Sequence, residues 1–431
     1  MLSKENNERL TQVGKGTPMG TMMRRYWHPF ATSTELPDPD CDPLRVRLLG
    51  ENFVAFRDTQ GRVGLHDELC LHRGASMALG RVEDGGIRCL YHGWKFAVDG
   101  TVLETPNHAD PRVRERLKAN AYAVRESAGL IWAFIGPKEQ EPPFRRFAFE
   151  NVPPERRIVL KLVVRANYLQ MWEGGTDSSH VGILHSNVTR PGWLAASKRE
   201  AGPDDITDMV NEAWDDTSPK LEIENTDFGF HYAGIRRLSS DPQGKRNVRL
   251  VPLFMPNGRI IEFPDFYTTV FDTPIDDGHT ASFLVDASDS RDLDLPSRIR
   301  RSGLQEERFY KDGQFMATAE QGFLQDRDAM RKRQSWSGFH GITQEDAVIS
   351  TSMGPIYDRT TEHLVAADAA IVRLRHRLMD SLKLSEAGQD PLGLKQADMT
   401  HMRGSDHDIG ADEDWRLYAS HHRRQDPAAH D

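Results

Sequence analysis

Cysteine and histidine occur together twice in one short stretch of this chain. Cys70-Leu71-His72 is followed by Cys89-Leu90-Tyr91-His92, with sixteen residues, Arg73 to Arg88, between the two groups. A structural zinc site usually takes its cysteines as one pair and its histidines as another. Here each group supplies one of each, which suits a cluster of two chemically different irons. Cys70 and Cys89 would hold one iron as thiolates, and His72 and His92 the other as imidazoles. Two neutral imidazoles in place of two thiolates make such a cluster less negative and raise its reduction potential. Gly74 and Gly93 allow the backbone to fold tightly around it, and Tyr91 and Trp94 can shield it and donate hydrogen bonds.

A second group lies downstream in "NYLQMWEGGTDSSHVGILHSN" (167–187). His180 and His185 are five residues apart, a workable but not ideal spacing on a continuous helix, and a helix break or a looser turn would let both aim at one ion. Asp177 precedes His180 by three. Two histidines and one carboxylate, with coordination positions left open, make an oxygen-activating non-haem iron site. The segment "EQGFLQDRDAM" (320–330) offers Glu320, Asp326 and Asp328 as the missing carboxylate. A helix over 312–335 would bury Phe315, Ala319, Phe323 and Met330.

These groups need elements to hold them. Residues 45–135 read as β, in runs such as "LRVRLLG", "NFVAFRD" and "GLIWAFIG" punctuated by Gly and Asp. The Pro-rich "GPKEQEPPF" (136–144) is a domain boundary. Residues 166–186 read as helix, loop, helix, and strand-like runs fill 220–286. Leu364, Ala367, Ile371, Leu374, Leu378 and Leu382 recur at helical spacing, which predicts an amphipathic helix over 361–384. The expected organisation is an N-terminal helical and extended arm (1–44), a cluster domain (45–150), a second-metal domain (151–385) and a polar tail (386–431). The tail histidines His401, His407, His421, His422 and His430 show no ligand spacing and read as surface.

Composition narrows the function. The chain has 431 residues and a net charge of −10 with both signs interspersed, so no basic face for nucleic acid is expected. No apolar run is long enough to span a bilayer, and the N-terminus lacks a signal-type apolar core. Three cysteines build no disulfide framework. A reducing, cytoplasmic setting is expected.

"CLHRG…CLYHGWKF" resembles the Rieske 2Fe–2S motif. With Asp177, His180 and His185 downstream, the chain resembles the α subunit of Rieske non-haem iron aromatic ring-hydroxylating oxygenases. The stretches "GTPMGTMMRRYWHPF", "EGGTDSSHVGILHS" and "STSMGPIYDRTTEHLVAADAAIVRLR" are most similar to the phthalate dioxygenase, phenoxybenzoate dioxygenase and aromatic O-demethylase branch. The resemblance implies an α+β chain: an all-β Rieske domain, then a catalytic domain whose antiparallel sheet is flanked by helices in a helix-grip arrangement. It implies His180, His185 and a helical Asp as mononuclear Fe(II) ligands, and "QDR" selects Asp326. It implies that Asp177 links a mononuclear-site histidine to a cluster histidine of a neighbouring subunit in a head-to-tail homotrimer, or in stacked trimers. Many members carry an Asn one turn before that Asp; Glu173, Gly174 and Gly175 stand there here.

The chain itself shows no dinucleotide-binding glycine fingerprint. NAD(P)H electrons are therefore expected through a separate flavin/iron–sulfur reductase. The implied function is O2-dependent oxidation of an aromatic acid, by ring dihydroxylation of a phthalate-like substrate. The alternative is monooxygenation or O-demethylation of a methoxylated or aryl-ether acid; a Rieske electron carrier without oxygen chemistry ranks below both. A carboxylate substrate calls for an arginine fork, and Arg236 and Arg249 in strand-like runs are the candidates.

Overall fold

The computed structural model describes residues 2–110, 112–195 and 211–419. The chain divides into two units, one of residues 12–144 with 273–277, the other of residues 1–11, 145–272 and 278–431.

The smaller unit is built from short antiparallel strands. One sheet joins His28–Thr32, Leu130–Phe134 and Ala123–Ser127, and a second joins Leu44–Leu48, Glu51–Arg57 and Val63–Asp67. A four-stranded meander joins Arg81–Glu83, Gly86–Arg88, Lys95–Phe96 and Val102–Glu104; the Cys70 loop leads into it from Val63–Asp67, and the Cys89 loop connects its second and third strands. Val54, Phe56, Met77, Ile87, Trp94, Phe96 and Val102 bury their side chains around Cys70 and Cys89. The expected arm over 1–44 is therefore not a separate element. His28–Thr32 is a fully buried strand of this unit, because apolar "HPFAT" pairs with Leu130–Phe134.

The larger unit is a ten-stranded sheet with helices. Its strands are β1 (Arg157–Val164), β2 (Lys220–Thr226), β3 (Gly229–Arg237), β4 (Lys245–Phe254), β5 (Gly258–Glu262), β6 (Tyr267–Asp276), β7 (His279–Ala287), β8 (Tyr310–Lys311), β9 (Gln314–Phe315) and β10 (Ser405–Gly410). Their order is β2-β3-β4-β5-β6-β7-β1-β9-β8, with β10 paired to β4. The long central strands are buried almost throughout, as strands covered on both faces must be. Three helices matter for the site: α1 (Tyr168–Thr176), α2 (Ile342–Ser352) and α3 (Ala369–Glu386). α1 contacts both α2 and α3.

Two expectations are corrected. Residues 312–335 do not form a helix. Asp312, Gly313, Gly322, Phe323, Leu324 and Arg333 all have positive φ, and the segment breaks into one short strand, a 3-10 stretch and the single helical turn Arg327–Arg331. The polar tail is not a surface arm over 398–419. β10 pairs with β4 from Lys245–Gly410 to Leu250–Ser405, and Met399, Met402, Ile409 and Trp415 are buried. Its polarity reflects exposure at mid-strand: His407 and Asp408 are exposed while Ser405 and Ile409 are buried. His421, His422 and His430 lie outside the described residues.

Candidate iron centres

The two cysteine loops have the same backbone design. The Cys70 N–H donates to the Ala75 carbonyl at 2.8 Å, and the Cys89 N–H to that of Trp94 at 2.8 Å. Four residues after each cysteine, Gly74 and Gly93 turn the chain with φ of +71° and +74°, a conformation costly for a residue with a Cβ. The N–H of each glycine closes back on its cysteine's carbonyl. Both cysteines are buried and free of disulfides. Burial, with the neighbouring Cys89, pushes the Cys70 thiol up to about 11 in the absence of a metal. The His72 ring stacks on Trp94 at 4.7 Å and meets the His92 ring edge-on at 4.5 Å. Trp94 is held in turn by its indole N–H on Asn107 at 2.8 Å.

In the larger unit, the helical region breaks where the histidines require it. Asn167 caps α1 by accepting from the Leu169 N–H at 3.1 Å, and Asp177 ends the helix in extended conformation. His180 then starts the single turn Val181–Leu184, and His185 sits at the joint between this turn and Ser186–Thr189. The two rings come within 5.1 Å.

The carboxylate that joins them is Asp346 of α2. Its Oδ1 lies 3.3 Å from His185 Nε2 and 3.7 Å from His180 Nε2. One ligand atom from each of the three residues falls within 4.8 Å of the others. Asp326 is corrected here: it is an exposed N-cap whose Oδ1 accepts from the Ala329 N–H at 2.8 Å. The signal for Asp346 was present in "GITQEDAVISTSMG", a glycine-bounded run whose Thr343, Ala347 and Val348 bury one face.

Each histidine has a carboxylate behind it as well. Asp177 Oδ2 is 3.5 Å from His180 Nδ1, and Asp177 Oδ1 accepts from the Ser179 N–H and hydroxyl at 2.8 Å each. Burial alone would raise the Asp177 carboxyl, but His180 and Ser179 hold it below its ordinary value. His185 Nδ1 faces Glu345 Oε2 at 2.6 Å. Burial works against a charged His185, yet Asp346 and Glu345 outweigh it and raise the ring to about 10.

A cavity of about 250 Å³ opens on His180, Asp177 and Asp346, walled by Leu162, Met171, Val270, Leu284 and Ile349 among others. Arg259 also lines it, paired with Asp272, its Nε buried without a partner. A Cβ on Gly175 would fall 2.0 Å from that nitrogen, so the glycine makes room for the guanidinium. Glu173 is committed to Arg359 at 2.8 Å and Arg375 at 2.6 Å. The arginine candidates sit apart from this lining. Arg236 donates to the Ser178 carbonyl and hydroxyl at 2.7 and 2.9 Å and lies over Trp214. Arg249 reaches the same indole and lines a separate cavity of about 430 Å³ with Glu262, Phe263 and His407.

Comparison with known proteins decides the family. Residues 26–121 match the Rieske [2Fe-2S] domain, and residues 133–430 match the LigXa C-terminal domain like family. The oxygenase subunit of phthalate 4,5-dioxygenase from Pseudomonas putida is 35% identical over 97% of this chain and 95% of its own length. This chain belongs to the Rieske oxygenase family. Another Rieske oxygenase subunit, that of 3-chlorobenzoate-3,4-dioxygenase from Comamonas testosteroni, is 33% identical over 92% of this chain and 93% of its own. That of 5,5'-dehydrodivanillate O-demethylase from Sphingobium sp. is 30% identical over 91% and 83%. Dicamba monooxygenase bound to 3,6-dichlorosalicylic acid shares the Rieske oxygenase fold at a TM-score of 0.59 and 18% identity, over 85% of this chain and 99% of that one.

As a Rieske oxygenase component, the chain carries a 2Fe–2S cluster and a mononuclear iron and takes its electrons from a separate reductase. The donor sets fit both groups. Two buried thiols lie with two adjacent imidazoles, and His72 Nδ1 is buried without a hydrogen-bond partner. The His180, His185 and Asp346 atoms converge on one point beside a cavity. No helix among the described residues is long and apolar enough to cross a membrane.

Proposed function

We propose that the chain is the terminal oxygenase for an aromatic carboxylate, dihydroxylating the ring of a phthalate-like acid. The convergence of His180, His185 and Asp346 on the cavity carries this reading. Cys70 and Cys89 hold one cluster iron, His72 and His92 the other. When bound, the mononuclear iron supplies O2 activation and the cluster supplies electrons one at a time. Two histidines and one carboxylate from the protein leave coordination positions free for oxygen. The apolar walls of Leu162, Met171, Val270 and Leu284 receive the ring and exclude water.

Arg236 and Arg249, the expected partners of the acid group, line no part of this cavity; Arg236 is engaged by Ser178 and Trp214 instead, and Arg249 faces a separate cavity. Relatives named for phthalate and 3-chlorobenzoate support the substrate class. The relative named as an O-demethylase supports the second reading, a monooxygenase acting on an aryl ether.

Asp177 holds His180 on one side and, in the assembled protein, His72 or His92 of the partner subunit on the other. Leu69, Leu71, Leu90 and Tyr91 are exposed around the cysteine loops, an apolar rim suited to burial in a homotrimer. Light scattering at three times the 48.9 kDa chain mass, or six times for stacked trimers, is the expected result.

Product analysis tests the proposal. Phthalate, 3-chlorobenzoate and a methoxybenzoate are each supplied with a reductase and NADH. A cis-diol from phthalate supports the first reading, and formaldehyde from the methoxyarene supports the second. NADH consumption without any oxidised product rejects both.

A further inference from the structure

Glu345 and Asp346 are consecutive in α2, and both reach His185, from opposite edges of its ring. Asp346 Oδ1 stands 3.3 Å from Nε2, and Glu345 Oε2 2.6 Å from Nδ1. His185 and Glu345 are both about 98% buried. So close a contact with a carboxylate oxygen puts the proton on Nδ1 and leaves the Nε2 lone pair on the Asp346 side. Glu345 is itself fixed. Its Oε1 accepts from the Ser337 hydroxyl, whose oxygen accepts from the Phe339 N–H at 3.2 Å, and Asn187 Nδ2 lies 3.5 Å away. Asn187 is anchored by the Trp336 N–H at 2.6 Å and by Ser335 at 3.1 Å. His180 is backed less closely, its Nδ1 standing 3.5 Å from Asp177.

We infer that Glu345 is a positioning residue for the mononuclear metal, selecting the His185 tautomer and locking its ring toward Asp346. This rests on the reading of His180, His185 and Asp346 as the iron ligands. A carboxylate behind a ligating imidazole orients it and raises its basicity, and loss of such a partner typically costs about 10- to 100-fold in metal affinity.

The test strips mononuclear metal from the full-length protein with a chelator, keeping the cluster's visible absorption as the fold control. Co(II) is then titrated against a chromophoric competitor and its ligand-field spectrum recorded. Glu345→Ala is expected to weaken Co(II) binding about 10- to 100-fold and to change the spectrum. Glu345→Gln keeps an acceptor for Nδ1–H without the charge and is expected to fall between Ala and wild type. Wild-type affinity and spectrum in both variants overturn the inference. If Glu345→Ala loses the cluster absorption, Glu345→Gln decides alone, and wild-type behaviour there overturns it. His185→Ala and Asp346→Ala run alongside. Should they bind Co(II) like wild type, the ligand reading fails, and the role of Glu345 falls with it. If they lose Co(II) while both Glu345 variants keep it, only the inference about Glu345 fails.

Discussion

Asp346→Ala and Asp326→Ala together test which carboxylate completes the mononuclear site. Asp346 approaches both imidazole Nε2 atoms, at 3.3 and 3.7 Å, and supplies the only negative charge among the three converging side chains. Partners one shell further out already matter by about 10- to 100-fold in metal affinity. Removal of a direct ligand therefore weakens Fe(II) by more than about 100-fold, or roughly 2.8 kcal/mol at about 1.4 kcal/mol per decade. Asp326 touches no member of the triad and caps one exposed helical turn, so its loss frays that turn and leaves iron binding unchanged. The assay is iron and labile sulfide per chain after desalting, with the visible spectrum of the cluster alongside. Wild type and Asp326→Ala are expected to hold about three irons and two sulfides, and Asp346→Ala about two and two. An Asp326→Ala protein short of one iron, beside an Asp346→Ala protein that keeps it, refutes the assignment.

Three further outcomes follow from the same contacts. Asp177→Asn preserves the Ser179 contacts and the helix end, so both metal sites should fill while turnover drops by orders of magnitude; turnover near wild type counts against the link between subunits. Arg236→Met and Arg249→Met should leave the ratio of KM values for carboxylated and neutral rings unchanged, since neither residue lines the cavity at the triad; a rise for carboxylated rings alone restores them as partners of the acid group. His28 is wholly buried, and burial lowers it to about 4 against 6.5 in the unfolded chain. The unfolded state therefore binds the proton first, so stability falls as pH drops from about 6.5 toward 4, by about 3 kcal/mol. Urea unfolding across that range should show the loss in wild type and a flatter profile in His28→Gln.

The cluster site was largely legible from the residues alone. Its ligands sit on two loops of local design, so spacing and the flanking glycines carry the geometry. The histidine pair was legible for the same reason, though its five-residue spacing left open whether a continuous helix, a break or a looser turn carries it. The third ligand was not, because it is remote in sequence and several helical acids compete for the role. Asp326 follows an apolar-looking run, but Gly313 and Gly322 turn the chain there and expose it. Glu345 and Arg259 escaped notice because burial and pairing, not motif, define them. β10 was hidden by its composition, since an added strand can be as polar as a loop. The β3, β4 and β7 runs were easier, being long, apolar and pinned by register, whereas β1 was not read as a strand.

A single turnover under 18O2 measures whether this chain inserts atmospheric oxygen into an aromatic acid. The protein, with its cluster chemically reduced, is mixed with phthalate, 3-chlorobenzoate or a methoxybenzoate, without any reductase, and the product is read by mass spectrometry. The account predicts two 18O atoms in a ring diol from a preferred acid. Cluster reoxidation by 18O2 with no labelled product from any of the three would contradict it.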